Sequence, residues 1–164
     1  MGKLKSVSLI VLLAMSLLLL SCQAKPKGSV LDVEVKDFDG KTFNLMEVKG
    51  ELILVNFWAV WCSPCKQEIP ELIKLQSEYK NKGLTVVGIS LDVGDAKKVK
   101  EFAEKEYMNY LVYIGDNRTV QRYGGLPGIP ASFLVDRQGD IKKRYFGSLN
   151  KEIVEKDLNT LLPK

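Results

Sequence analysis

The stretch WAVWCSPCKQEIP, residues 58–70, is the part of this chain that decides its interpretation. Cys62 and Cys65 are separated by two residues, with Trp61 in front of them and Pro64 between them. Two cysteines at this spacing can form a structural disulfide, contribute to a metal site or work as a redox-active dithiol. The surrounding sequence and the composition favour one of these three uses.

Histidine is absent from the 164 residues, and Cys22 is the one other cysteine. A structural zinc site usually needs four cysteine or histidine ligands, so a metal site is disfavoured. The same absence excludes Cys-His nucleophile pairs, and Lys66 stands where c-type haem attachment needs histidine. An inert disulfide that closes so short a loop would add little stability. Both uses remain as the weaker alternatives.

The sequence on either side of the cysteines predicts a strand followed by a helix. Residues 52–58 are nearly continuous apolar sequence, typical of a strand covered on both faces. Apolar residues then recur at helical spacing, with Pro70 inside the helix. At a helix start, unpaired N–H groups and the helix dipole stabilise a thiolate. We therefore predict that Cys62 is an exposed nucleophile and that the less exposed Cys65 resolves the mixed disulfide.

The rest of the chain alternates between strand and helix patterns. Hydrophobic content of 46% and charged content of 27% are ordinary for one globular domain. Asp95 and Asn150 are predicted N-caps of two later helices, and a short helix is expected over 117–123. The predicted strands are 30–36, 42–45, 52–58, 84–91, 111–114, 131–136 and 141–146. This order predicts an α/β fold with a mixed sheet and helices on both faces.

The N-terminus has the pattern of an export signal. Lys3 and Lys5 precede an apolar run that ends in Leu19-Leu20-Ser21-Cys22, which resembles a bacterial lipoprotein signal. We expect residues 1–21 to be a signal peptide, 22–29 a tether lipidated at Cys22, and 30–164 the folded domain. An ordinary signal peptide or an anchor helix is the alternative. The remaining 22 basic and 20 acidic residues argue against nucleic acid as a partner.

Three separated features resemble the thioredoxin superfamily. The WAVWCSPCK stretch resembles its active-site region, and Pro70 matches its helix-kinking proline. Gly128-Ile129-Pro130 matches its cis-proline segment. Within the superfamily, the chain is most similar to membrane-tethered or periplasmic thiol–disulfide oxidoreductases of the TlpA/ResA type. The lipoprotein-like Cys22, an N-terminal β-hairpin and an inserted βα unit near residues 92–116 carry that similarity.

The resemblance implies an extracytoplasmic enzyme, lipid-anchored to a bacterial membrane, that reduces disulfides of exported proteins such as apocytochrome c. A membrane thiol electron donor would return electrons to the Cys62–Cys65 pair. We expect no cofactor and no metal, and we expect the protein to be a monomer. Trp61, Pro64, Ile129 and Pro130 would form the substrate groove. A net oxidant or isomerase of the same fold is the first alternative. A thiol peroxidase is the second, although its Pro-x-x-x-Thr-x-x-Cys pattern is absent. A redox-sensing or metal-carrying binding module is the third.

Glu68 is the remaining candidate catalytic residue. Asn56 stands where thioredoxins proper carry a buried aspartate, and an amide cannot accept the proton that Cys65 must lose. Glu68 lies three residues beyond Cys65, so the two side chains can share a helix face. We predict a partly buried Glu68 that acts as the general base. The alternative is a surface glutamate that complements the helix dipole.

Overall fold

The central strand β3 (Leu52–Trp58) is buried along all seven residues in the computed structural model, which describes residues 28–163. Successive side chains of a strand point to opposite faces. Ile53, Val55 and Phe57 pack in one core cluster, and Leu52 and Leu54 pack in another. The continuous apolar run therefore serves a sheet covered on both sides, as the sequence predicts.

Seven strands form one mixed sheet in the order β2-β1-β5-β4-β3-β6-β7. Strands β3, β4 and β5 are parallel neighbours, and every other pairing is antiparallel. The remaining strands are β1 (Glu34–Lys36), β2 (Thr42–Asn44), β4 (Leu84–Ser90), β5 (Leu111–Ile114), β6 (Ala131–Asp136) and β7 (Ile141–Phe146). The helices are α1 (Ser63–Tyr79), α2 (Ala96–Lys105), α3 (Asn117–Arg122) and α4 (Lys151–Leu161), and short 3-10 turns cover Leu45–Glu47 and Lys80–Lys82.

The helices cover both faces of the sheet, which confirms the predicted fold class. Helices α1 and α4 pack with Leu54 in one cluster, and Val99 of α2 packs near Trp58 on the same face. Tyr123, directly after α3, packs with Phe57 on the opposite face. The N-terminal hairpin β1–β2 and the inserted α2–β5 unit are both present.

Two local predictions are wrong. The strand expected over 30–36 is confined to β1, because Val30 and Leu31 lie in a turn that buries both side chains in the core. Asp95 stands at the N-cap position of α2, but its carboxylate accepts no helix N–H. Its backbone angles, φ −122° and ψ 45°, lie outside the extended region that capping residues normally adopt.

The start of the described chain is fastened to the domain at one end of the sheet. Arg122 Nε donates to the carbonyl oxygen of Ser29 at 2.9 Å, and the N–H of Val30 donates to the carbonyl oxygen of Gly139 at 3.1 Å. Gly139 lies in the turn between β6 and β7 with φ +83°, and a Cβ there would overlap Ser29. We call these contacts the N-terminal attachment.

The predicted signal peptide and the lipidation site at Cys22 lie outside the described residues. Within residues 28–163, none of the helices combines the length and the apolar character that crossing a membrane requires.

Candidate active site

Cys62 occupies the N-cap position of α1, four residues after Trp58, the last β3 residue in the β3–β4 ladder. Its sulfur accepts a hydrogen bond from the N–H of Cys65 at 3.3 Å, and a disulfide joins the two residues. Pro64 lies in the first turn, where the absent N–H of proline costs no helical hydrogen bond. The structure thus brings the two cysteines together at the helix start.

The exposure of the cysteines differs from the prediction for Cys62. Only 4% of Cys62 is exposed, and Cys65 is fully buried. Cys62 is covered because its sulfur lies 3.7 Å from the carbonyl oxygen of Ile129, in the loop before β6. Cys62 is nevertheless the more exposed of the two, as predicted, and its role as the nucleophile stays a prediction.

The predicted groove residues surround this sulfur on two segments. The peptide bond between Ile129 and Pro130 is cis, as predicted. Trp61 is 67% exposed and Pro64 is also exposed, whereas Ile129 is half-buried and Pro130 is buried. Pro130 therefore shapes the loop, while the other three present surface to a partner. A role for these four residues in substrate binding stays a prediction.

Glu68 is buried, with 3% exposure, so the surface alternative is wrong. Its Oε1 accepts from the side-chain amide of Asn56 at 2.6 Å, and its Oε2 accepts from the N–H of Leu149 at 2.8 Å. The amide of Asn56 also donates to Ser132 Oγ at 2.9 Å. Strand β3 and the loop before α4 thus each donate one hydrogen bond to the Glu68 carboxyl group, which projects from the same helix as Cys65.

The surroundings of Glu68 change its proton affinity. Burial raises the pKa of Glu68 above its ordinary value, and the hydrogen bonds from Leu149 and Asn56 offset part of that effect. Burial also raises the pKa of Tyr110, and the charge of Glu68 adds to it. A carboxyl group with a raised pKa can take up a proton at a pH where an exposed glutamate stays ionised.

The sequence did not reveal two polar partners of the site. Ser132 lies opposite Asn56 in the β3–β6 pairing, and the N–H of Val60 donates to Asp92 Oδ2 at 2.8 Å. The partners are 76 and 32 residues apart in the chain, so no local spacing could link them. The signal that was available is the Ser90-Leu91-Asp92 triplet, which puts polar residues directly at the end of a buried strand.

Within residues 28–163, the structure contains no cluster of three or more potential metal ligands among histidine, cysteine, aspartate and glutamate side chains. The groups that the structure places at the start of α1 are one disulfide and one buried carboxyl group.

Residues 27–144 match the AhpC/TSA family. The chain belongs to this family. Its relatives include the thiol-disulfide oxidoreductase ResA of Bacillus thuringiensis (strain Al Hakam), with 32% identity over 79% of this chain and 74% of ResA. The thioredoxin-like protein YneN of Bacillus subtilis (strain 168) is 32% identical over 78% of this chain and 75% of YneN.

Solved structures agree with this family assignment. A thiol:disulfide interchange protein of the thioredoxin family from Chlorobium tepidum TLS aligns with a TM-score of 0.71 and 28% identity. That alignment covers 87% of this chain and 100% of the Chlorobium chain. The predicted similarity to TlpA/ResA-type proteins is therefore confirmed. With the paired cysteines at the helix start, this member of the AhpC/TSA family is a thiol–disulfide oxidoreductase.

Proposed function

We propose that this thiol–disulfide oxidoreductase reduces disulfides of exported proteins, apocytochrome c among them, at the outer face of a bacterial membrane. The observation that carries the proposal is the buried Glu68 carboxyl group on the same helix as the two cysteines. A resolving cysteine must lose its proton before it can attack. A buried carboxyl group with a raised pKa is suited to receive that proton.

The reaction starts from the dithiol. The Cys62 thiolate attacks one sulfur of the substrate disulfide, the substrate S–S bond breaks, and the first substrate sulfur leaves as a thiolate that takes a proton from water. Cys65 then gives its proton to Glu68 and attacks Cys62 Sγ. The second substrate sulfur leaves, and the Cys62–Cys65 disulfide forms. Two electrons pass to the substrate, and a membrane dithiol donor returns two electrons to the enzyme.

The loop that contains Ile129 is the proposed docking segment. Its carbonyl oxygen lies beside Cys62 Sγ, so an extended segment paired with this backbone would lie across the reactive sulfur. The exposed Trp61 would cover the other side of that segment. This arrangement accepts many sequences, because backbone pairing does not depend on side-chain identity.

The location follows from the N-terminal sequence, which lies outside the described residues. Cys22 would carry the lipid, and the tether that follows would keep a monomeric domain at the membrane surface. The lipoprotein-like signal is the support for this part of the proposal.

A trapping experiment tests the catalytic proposal. With Cys65→Ala, Cys62 can attack a substrate but cannot be released, so we expect a stable mixed disulfide with reporter proteins such as an oxidised apocytochrome c. Cys62→Ala is the matched control and should trap nothing, although it also leaves one thiol. The readout is a mass shift on non-reducing gels that disappears with dithiothreitol.

The native protein and the apocytochrome c reporter also show whether the enzyme acts as a reductase or as an oxidant. The native protein with excess dithiothreitol should accelerate reduction of the apocytochrome c disulfide. Faster oxidation of the reduced apocytochrome by the disulfide form, with no acceleration of reduction, would support the oxidant alternative. Trapping by Cys62→Ala instead of Cys65→Ala would reverse the assigned roles.

A further inference from the structure

The segment between β3 and Cys62 is held by a side chain from the neighbouring strand. The parallel β3–β4 ladder ends at the pair Trp58–Ser90, and the N–H of Leu91 still donates to the carbonyl oxygen of Trp58 at 2.9 Å. One step further, a regular ladder would pair the N–H of Val60 with a backbone carbonyl. That N–H instead donates to Asp92 Oδ2 at 2.8 Å.

The Asp92 carboxylate is itself fixed. The hydroxyl of Ser90 donates to the same Oδ2 at 2.8 Å, and the N–H of Asp92 donates to Ser90 Oγ at 3.1 Å. Ser90 is fully buried, so its hydroxyl has a defined position. Hydrogen bonds to a carboxylate are shorter and stronger than those between neutral groups. Val60 is therefore anchored to β4 through a rigid pair of side chains.

Val60 is directly coupled to the nucleophile. The N–H of Cys62 donates to the carbonyl oxygen of Ala59 at 3.1 Å, which makes residues 59–62 a tight turn with Val60 inside it. A turn fixed at Val60 restricts the backbone of Cys62, whose carbonyl oxygen also accepts from the N–H of Lys66 in α1 at 3.2 Å. In the reduced form, where no covalent bond joins the two sulfurs, the separation of the two thiols would then respond to the Asp92 hydrogen bond.

We propose that Asp92 is a positioning residue that sets the balance between the dithiol and the disulfide of Cys62 and Cys65. An intramolecular disulfide forms more readily when its two thiols are held at the right distance. Releasing Val60 lowers that effective concentration, so the disulfide becomes easier to reduce. The inference rests on the thiol–disulfide activity but not on any particular substrate.

The test is the equilibrium with glutathione, in which two glutathione thiols reduce the Cys62–Cys65 disulfide and become one glutathione disulfide. We expect Asp92→Ala to shift the equilibrium constant towards the dithiol by about tenfold, or about 30 mV. Asp92→Asn keeps an acceptor oxygen and should stay within about threefold of the native constant. Asp95→Ala is the matched control, because its carboxylate lies on the same loop and contacts Lys98 rather than the 59–62 turn.

The three variants distinguish position from charge. Equal shifts of the equilibrium constant in Asp92→Asn and Asp92→Ala would mean that the charge of Asp92 is responsible. A native equilibrium constant in Asp92→Ala would mean that the hydrogen bond from Val60 to Asp92 is irrelevant. Either result overturns the proposal. If Asp92→Ala fails to fold, Ser90→Ala replaces it, since it frees the carboxylate, and an unchanged constant there overturns the proposal too. A native protein that does not exchange with glutathione at all would contradict the activity itself.

Discussion

Glu68 shows at the scale of one residue how burial prepares a side chain for proton transfer. Its carboxyl group accepts hydrogen bonds from Asn56 and Leu149, and its pKa is raised because water is excluded. We expect Glu68→Gln to slow resolution of the mixed disulfide by about 10²-fold near neutral pH, with the first attack by Cys62 unchanged. Stopped-flow reduction of a model disulfide between pH 5 and 9 measures both steps.

Glu71→Gln is the control for that experiment, because Glu71 lies on the same helix and forms a surface ion pair with Lys74. Native resolution rates in Glu68→Gln, with an unchanged pH profile, would show that the glutamate has no part in catalysis.

The raised pKa of Glu68 also predicts a pH dependence of stability. An acid whose pKa is higher in the folded protein binds more protons there, so its stabilisation is complete below the ordinary value of 4.5. That contribution is lost as the pH rises through the folded pKa. Unfolding in denaturant should therefore show that oxidised Glu68→Gln gains stability relative to the native protein over this range. A pH-independent difference between the two would contradict the raised pKa.

Residue spacing alone predicted the candidate site only locally, and the resemblance to the thioredoxin superfamily added Ile129 and Pro130 to it. The positions of Cys62, Cys65 and Glu68 on one helix follow from a periodic pattern within a few residues. The burial of Cys62 does not follow from such a pattern, because the residue that covers its sulfur is Ile129, which is 67 residues away. Partners such as these are set by strand pairing, and the sequence predicted the strands without their order in the sheet.

At the scale of elements, the turn between β6 and β7 joins two parts of the chain. Gly139 has φ +83° and lies against Ser29, so alanine there would add backbone strain and a collision with the N-terminal attachment. We expect Gly139→Ala to lower the free energy of unfolding by about 2–5 kcal/mol. Urea unfolding measures the change.

Gly124→Ala is the matched control, since Gly124 has φ +88° with no atom within 4 Å of the added carbon. Gly124→Ala should lower the free energy of unfolding by the backbone strain alone, about 1–2 kcal/mol. Equal losses in the two variants would mean that contact with Ser29 contributes nothing.

Most elements were predictable because their signals are local. Strands β3, β5, β6 and β7 have the predicted bounds, and Asn150 caps α4 by accepting from the N–H of Ile153. The apolar alternation over 30–36 misled because it also describes a turn with two buried side chains. Asp95 misled because capping depends on backbone angles, which residue type does not determine.

At the scale of the whole molecule, the proposal of a lipid at Cys22 makes a prediction of its own. We expect the protein expressed with its full N-terminus to partition into detergent with Cys22 modified. Cys22→Ser should block lipid attachment and processing at this site, leaving an unlipidated precursor. Intact mass and Triton X-114 partitioning give both readouts. A detergent-free protein that begins after Cys22 would contradict the proposal.

The N-terminal attachment has a consequence for reach. Val30 meets the β6–β7 turn at one end of the sheet, and Cys62 follows the opposite end of β3. The seven residues of β3 span about 23 Å, and an extended chain from Cys22 to Ser29 adds at most about 25 Å. A lipid at Cys22 would thus allow the Cys62 sulfur to lie at most about 50 Å from the point of attachment. Client disulfides, and the dithiol that recharges the enzyme, would have to come within that distance of the bilayer.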